Sequence, residues 1–229
     1  MKFIIQNLFP FRVKAVEVPV LPEELEKPSS KAALLSKAES VRHHLVENFE
    51  GITVNIGGER GRHQLAVRGL VNANIDLIFQ IKTADIGHVD VELAMREQGC
   101  CRRFTQNLHN AIQAIGFEKM SLKAVREGRV AWAALGFRPT PTAWKLRKSS
   151  FANGFRSVRD RYPADIADLI DRMILENDFD AFPVLANVNY SGNNRNEYRM
   201  MSASVMSNLT DWEGEFLVGE GEYTQYLFR

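Results

Sequence analysis

The sequence predicts an α/β fold in which a mixed, mostly antiparallel sheet is flanked by helices and carries a helical insertion. Three observations lead there. From Ile52 the apolar residues recur with period two, in runs broken by glycine and asparagine turns, as in an antiparallel meander. The stretch from His88 to Phe137 then reads strand, tight turn, long helix, strand, short helix. Four of the eight prolines precede Ser29 and none lies between Ser29 and Arg138, so an extended arm leads into a proline-free core. A helix, a meander and alternating strands and helices make up an α/β order.

Composition limits the function classes. The 229 residues are 45% hydrophobic and 25% charged, ordinary for a soluble globular chain, and the formal charge of +1 steers it to neither nucleic acid nor an acidic surface. No apolar run approaches the roughly 20 residues that span a bilayer. The opening MKFIIQNLFPFR is interrupted by Gln6, Asn7 and Pro10 and does not read as a secretory leader. The only cysteines, Cys100 and Cys101, are adjacent and staple nothing distant. A cytoplasmic location is expected.

Taken in order, residues 1–28 form the arm, in which Arg12 to Val20 alternates loosely enough for an edge strand. Ser29 or Ser30 caps a helix whose stripe is Leu34, Leu35, Ala38, Val41 and Leu45, ended by Gly51. The meander turns are expected at Gly57–Gly61, at Asn72-Ala73-Asn74 and near Asp85-Ile86-Gly87. After Phe137 the chain turns basic from Lys145 to Arg161, with Phe151 and Phe155 interleaved. Pro163 opens a helix with Ile166, Leu169, Ile170, Met173 and Ile174 on one face. Residues 138–182 therefore read as an inserted helical segment. Strands are expected at Phe182–Val188 and in the terminal YTQYLF, with an acidic tail from Asp211.

The chemistry concentrates between His88 and Phe137. Val89, Val91 and Leu93 alternate along a strand, and Phe104, Leu108, Ala111, Ile112 and Ile115 form one helical stripe that Gly116 closes. Between them Arg96-Glu97-Gln98-Gly99-Cys100-Cys101 makes the turn. A strand, a glycine turn and a helix N-terminus aim several backbone N–H groups at one spot, a natural anion site. Arg102 and Arg103 oppose the helix dipole unless an anion is bound there.

This stretch resembles the acyl-CoA-binding core of the GNAT acetyltransferase superfamily. The family's turn, Q/R-x-x-G-x-G/A, corresponds to Arg96-x-x-Gly99-x-Cys101, and its closing Leu-Gly-Phe to Leu135-Gly136-Phe137. The resemblance covers His88 to Phe137 and departs at Cys101 and Trp132. It implies a GNAT-like acyl-CoA N-acyltransferase fold over residues 29–229 and transfer of an acetyl group from acetyl-CoA, as cosubstrate, to an amine acceptor. The backbone of Val91 to Leu93 would hold the pantetheine arm. Arg96, Gln98, Gly99, Cys101, Arg102 and Arg103 would hold the pyrophosphate. A non-catalytic GNAT-like interaction module is the alternative.

Each candidate also has a plainer reading. Glu92 is placed as general base on the strand face opposite Val91 and Leu93; an exposed edge carboxylate is more often simply solvated. Cys101 is a bystander thiol rather than a nucleophile, since no neighbouring base is identifiable. Trp132 stands near a position where many family members carry a tyrosine that protonates the departing thiolate. Indole cannot do this. A tail tyrosine, a reaction without a positioned acid, or plain packing of an inactive copy all stay open. The five histidines show no metal-ligand spacing, and the basic stretch reads mainly as a solvated face.

Overall fold

A computed structural model describes residues 30–59, 61–92, 98–188, 195–219 and 221–228. The expected edge strand at Arg12–Val20 lies outside them. Helix α1, Lys31–Asn48, begins at Ser30, whose Oγ accepts from the Ala33 N–H at 3.3 Å, and buries Ala38, Val41 and Leu45. Strands β1 (Ile52–Glu59), β2 (Arg62–Gly69), β3 (Val71–Ile78) and β4 (Thr83–Val91) form the meander. Helix α2, Cys100–Ala114, crosses over to β5, Lys119–Ala124, which runs parallel to β4. Then come α3 (Gly128–Ala134), β6 (Arg138–Pro139), α4 (Pro141–Arg156), α5 (Ala164–Glu176), α6 (Ala181–Ala186), α7 (Arg195–Ser207), β7 (Trp212–Leu217) and α8 (Gly221–Leu227). The strand order is β1-β2-β3-β4-β5-β7-β6: seven strands, one neighbouring pair parallel, flanked by helices.

The α/β class with a mixed sheet is thus present, while several boundaries differ from expectation. The turn into β3 falls at Gly69, where φ is +129° and an added Cβ would meet the Gly51 carbonyl oxygen at 2.1 Å. Only glycine fits. The next turn is the short helical bend Phe79–Ile81 closed by left-handed Lys82. Asn72-Ala73-Asn74 and Asp85-Ile86-Gly87 therefore lie within β3 and β4. Gly87 is a bulge and not a turn: Asn74 pairs with His88 and Ile75 with Ile86, leaving Gly87 extra.

Two further corrections concern the C-terminal part. The expected strand Phe182–Val188 is helix α6, whose Ala181, Phe182, Pro183 and Leu185 are all buried. A short run that is apolar all round carries no period to tell strand from helix. The terminal YTQYLF is helix α8, fixed by docking: Arg102 and Gln106 of α2 donate to its last carbonyls, the Gln106 Nε2–Leu227 O bond being 2.8 Å. The acidic stretch after Asp211 instead holds β7, where Trp212, Gly214 and Phe216 are buried and Glu213 and Glu215 alternate with them. The helical segment between β6 and β7 runs on to Ser207.

The sheet has two unlike faces. Val54, Leu65, Val67, Ile75, Leu77, Ala84, Ile86, Met120, Leu122 and Phe216 share the buried face, covered by α1 over β1 and β2 and α2 over β3 and β4. Phe104 of α2 meets Phe49 after α1 edge-on, with centroids 5.9 Å apart. Phe137 joins Trp132 (5.2 Å) to Phe216 (5.4 Å), and Phe182 joins Trp212 (5.4 Å) to Phe151 (4.7 Å), so one aromatic core continues into the insertion. The opposite face is polar and laced across the strands. Arg62 pairs with Asp76 at 2.5 Å, Ser121 donates to Asp85 at 2.8 Å, and Lys119 faces Glu215 at 3.6 Å.

Candidate functional site

The site grows from one mismatch in the sheet. Strands β4 and β5 pair only from Thr83↔Lys119 to Ile86↔Leu122, yet β4 continues to Val91 and β5 to Ala124. The last shared pair lies immediately before the Gly87 bulge, which bends β4 as β5 leaves it. Past that point β4 keeps its partner β3, through Val89↔Ala73 and Val91↔Val71, and parts from β5. A wedge thus opens in the middle of the sheet at the C-terminal ends of its two parallel strands. Crevices at such ends are where open α/β sheets take ligands.

Helix α2 is the next element after β4 in the chain. Gly99 is its N-cap, in the left-handed region at φ 70°, and no side chain caps the helix. The Gly99 carbonyl accepts from Arg103 N–H at 3.0 Å, so the amides of Cys100, Cys101 and Arg102 form the helix's free end. Among the described residues nothing lies within 4 Å of a Cβ built on Gly99. The turn is open to a ligand, and glycine there suits both the backbone and a close approach.

The remaining candidates are placed as follows. Gln98 is exposed beside Gly99. Val91 is buried at the end of β4, and Glu92 follows it, exposed, with its N–H donating to Leu70 O at 3.1 Å. Leu93 and Arg96 lie outside the described residues. Cys100 is buried, and burial pushes the neighbouring Cys101 thiol up to about 11, a hydrogen bond with Thr105 offsetting only part. At neutral pH Cys101 is a protonated bystander, not a nucleophile. The two arginines separate. Arg102 turns to the Tyr226 and Leu227 carbonyls of α8, while Arg103 stays exposed with its guanidinium 6.0 Å from the Phe49 ring centroid.

Trp132 is packing. It is 9% exposed, its ring meets Phe137 edge-on, and a Cβ at Gly128 would touch it at 3.3 Å. Tyr226 is buried on α8, next to the first turns of α2 through its carbonyl. Tyr162 donates to or accepts from Ser202 at 2.8 Å inside the insertion. Tyr190 lies outside the described residues.

Sequence reasoning missed a second concavity. A cleft of about 410 Å³ opens between Lys123 of β5, Glu213 of β7, Asp211, and Thr142, Leu146 and Arg147 of α4. Lys123 is the first residue of β5 beyond its last pair with β4, so the cleft and the wedge share this strand. Its walls come from segments far apart in the chain. The one available clue was the alternation of Trp212, Gly214 and Phe216 with acids.

No helix of the described residues is long and apolar enough to cross a membrane. Among them no three His, Cys, Asp or Glu side chains gather as a metal site requires. Compared with protein-family models, with curated proteins and with solved structures, the chain finds no match in any of the three.

Proposed function

We propose that this protein has a GNAT-like fold and is an acyl-CoA-dependent N-acyltransferase, moving an acetyl group from acetyl-CoA to a primary amine in the cytoplasm. The observation that carries the reading is the parting of β4 from β5 in the strand that leads, in chain order, to an uncapped, glycine-led helix N-terminus. A wedge admits an extended pantetheine arm to backbone groups of the central strand. The amides of Cys100 and Cys101 suit the pyrophosphate, helped by the dipole. In the reaction, Glu92 or a water takes a proton from the ammonium. The amine nitrogen attacks the thioester carbonyl, and backbone N–H groups of the β4 end stabilise the oxyanion. The C–N bond forms, the C–S bond breaks, and the CoA thiolate leaves to be protonated by solvent or by a tail tyrosine.

A second reading, a non-catalytic GNAT-like module, is favoured by one observation: Trp132 is locked in the aromatic core with no acid in its place. Melting the protein with acetyl-CoA tests the first reading. Ligand at 100 times its dissociation constant stabilises the native state by about 2.7 kcal/mol, a rise of several degrees. No shift at millimolar acetyl-CoA sinks it. Binding without CoA release for any amine leaves the module.

A further inference from the structure

The cleft beside Lys123 suits one kind of molecule. Lys123 and Glu213 are direct cross-strand partners on the polar face of β5 and β7. Opposite charges in that position normally meet, since their Cβ atoms stand about 5 Å apart. Here neither side chain makes an ion pair or hydrogen bond with any described residue, and both are exposed toward the cleft. The Asp211 carboxylate adds a second acid, while its carbonyl is held by Arg147 through two bonds of 3.2 and 3.1 Å. That bond pair fixes the wall and orients the guanidinium toward it. Leu146, 64% exposed, gives the same cleft an apolar side. Its volume, about 410 Å³, falls in the lower part of the usual range for ligand pockets, about 300–1,000 Å³.

We infer that this cleft binds a small zwitterion, an α-amino acid whose ammonium is received by Glu213 and Asp211 and whose carboxylate is received by Lys123. The charges support this: two acids and two bases make the cleft neutral overall, so neither a simple polyamine nor a polyanion is favoured. An amino acid satisfies both unpaired side chains at once, and its aliphatic part covers Leu146. The inference deepens the acyl-transfer reading and rests on it for one step only, the assignment of the amino acid as acceptor. That step is supported by the shared strand: Lys123, which lines the cleft, directly follows Leu122, the last residue of β5 paired with β4.

The binding claim is tested without acyl-CoA, by calorimetric titration of the full chain with L-leucine, leucinamide and N-acetylleucine. Leucine should bind, and leucinamide and N-acetylleucine should each bind about tenfold more weakly, ~1.4 kcal/mol. Lys123→Met should reduce leucine to the level of leucinamide and leave leucinamide unchanged. The double variant Asp211→Asn, Glu213→Gln should do the same with N-acetylleucine as reference. All three positions are exposed or half-buried, and an unaltered melting temperature confirms each variant as folded. No leucine binding at millimolar concentration overturns the inference, as do equal affinities for the three probes or variants that bind leucine like the wild type. Acetyl-CoA binding is measured separately. If leucine shows the pattern and acetyl-CoA does not bind, the acyl-transfer reading fails and the cleft stands; the converse result removes the cleft alone.

Discussion

The two halves of β4 make the useful comparison. From Thr83 to Ile86 the strand is gripped on both sides, by β3 and β5. From His88 to Val91 β3 alone pairs with it as a strand, and Gly87 marks the change. A single central strand is thus interior at one end and an edge at the other. Sheet edges left open to solvent invite unwanted pairing, and proteins usually cover or blunt them. An edge kept inside a sheet instead offers backbone groups to a ligand.

The comparison can be broken from the gripped side first. Leu122 is 4% exposed and sits at the fork, with its Cδ1 3.3 Å from where a Gly214 Cβ would stand. Leu122→Ala should cost about 2–5 kcal/mol through lost burial and a cavity. Urea denaturation reads this, and a loss under about 1 kcal/mol would mean that the fork is loosely packed. Next comes Trp132→Tyr, which thins the core between Gly128 and Phe137 and should cost about 1–3 kcal/mol. Because the ring is buried as packing, CoA release with amines should not rise. A gain approaching the 10²–10⁴-fold typical of general-acid assistance would place a missing acid there.

On the open side, Gly99→Asp puts a carboxylate among the free amides of α2. Acetyl-CoA should bind about tenfold or more weakly, ~1.4 kcal/mol, with a modest fall in melting temperature, because the position faces open space but its φ of +70° strains any residue other than glycine. Unaltered binding would misplace the anion site.

Much of this was readable beforehand where a period repeats. The stripes of α1, α2 and α5 and the alternation of the meander each sample one buried face several times. Legibility fails where tertiary contact decides. Gly87 resembles a turn and is a bulge, Phe182–Val188 has no polar face to reveal its helix, and the acids of β7 hide its alternation. At the site, Gly99 was legible as the residue that leads helix α2, because a glycine between a strand and a helical stripe marks the turn. The true partner of Arg102 was not, since it donates to carbonyls 124 and 125 residues away. The cleft was hidden for the same reason, the alternation along β7 being its one trace in the sequence.

Helix α2 spans both halves of the comparison, and His109 on it gives a smaller, pH-dependent effect. Its ring is buried between Phe216 and Phe228, and burial lowers its pKa below 6.5 despite a contact with Asn110. His44 is shifted the same way by burial. In both cases the unfolded chain binds more protons in the window from 6.5 downward, so stability falls as pH drops through it, by at most about 1.4 kcal/mol per unit and group. Urea melts between pH 7 and 5 should show the slope, and His109→Phe should reduce it. An unchanged slope would assign the effect elsewhere.

The smallest expectation concerns the basic stretch. Arg147 is spent on Asp211, Lys148 on Asn177, Arg159 on Asp168 and Asp171, and Arg161 on Glu197. Nucleic acid should bind weakly or not at all at physiological salt. A submicromolar, steeply salt-dependent affinity lost on replacing Arg156, Arg159 and Arg161 would reverse that.

The position of β7 between β5 and β6 has a consequence for the order of events during synthesis. A ribosome delivers α1, the meander, α2 and β5 first, and these already close one face of the core. At that stage β5 presents its outer side and Met120, Leu122 and Ala124 await Phe216, Gly214 and Trp212, which emerge only after five further helices. The nascent chain therefore carries a completed amino-terminal half and an unzipped sheet margin until β7 slots in. That late, long-range closure should set the pace of folding and make the exposed side of β5 the contact most in need of a chaperone.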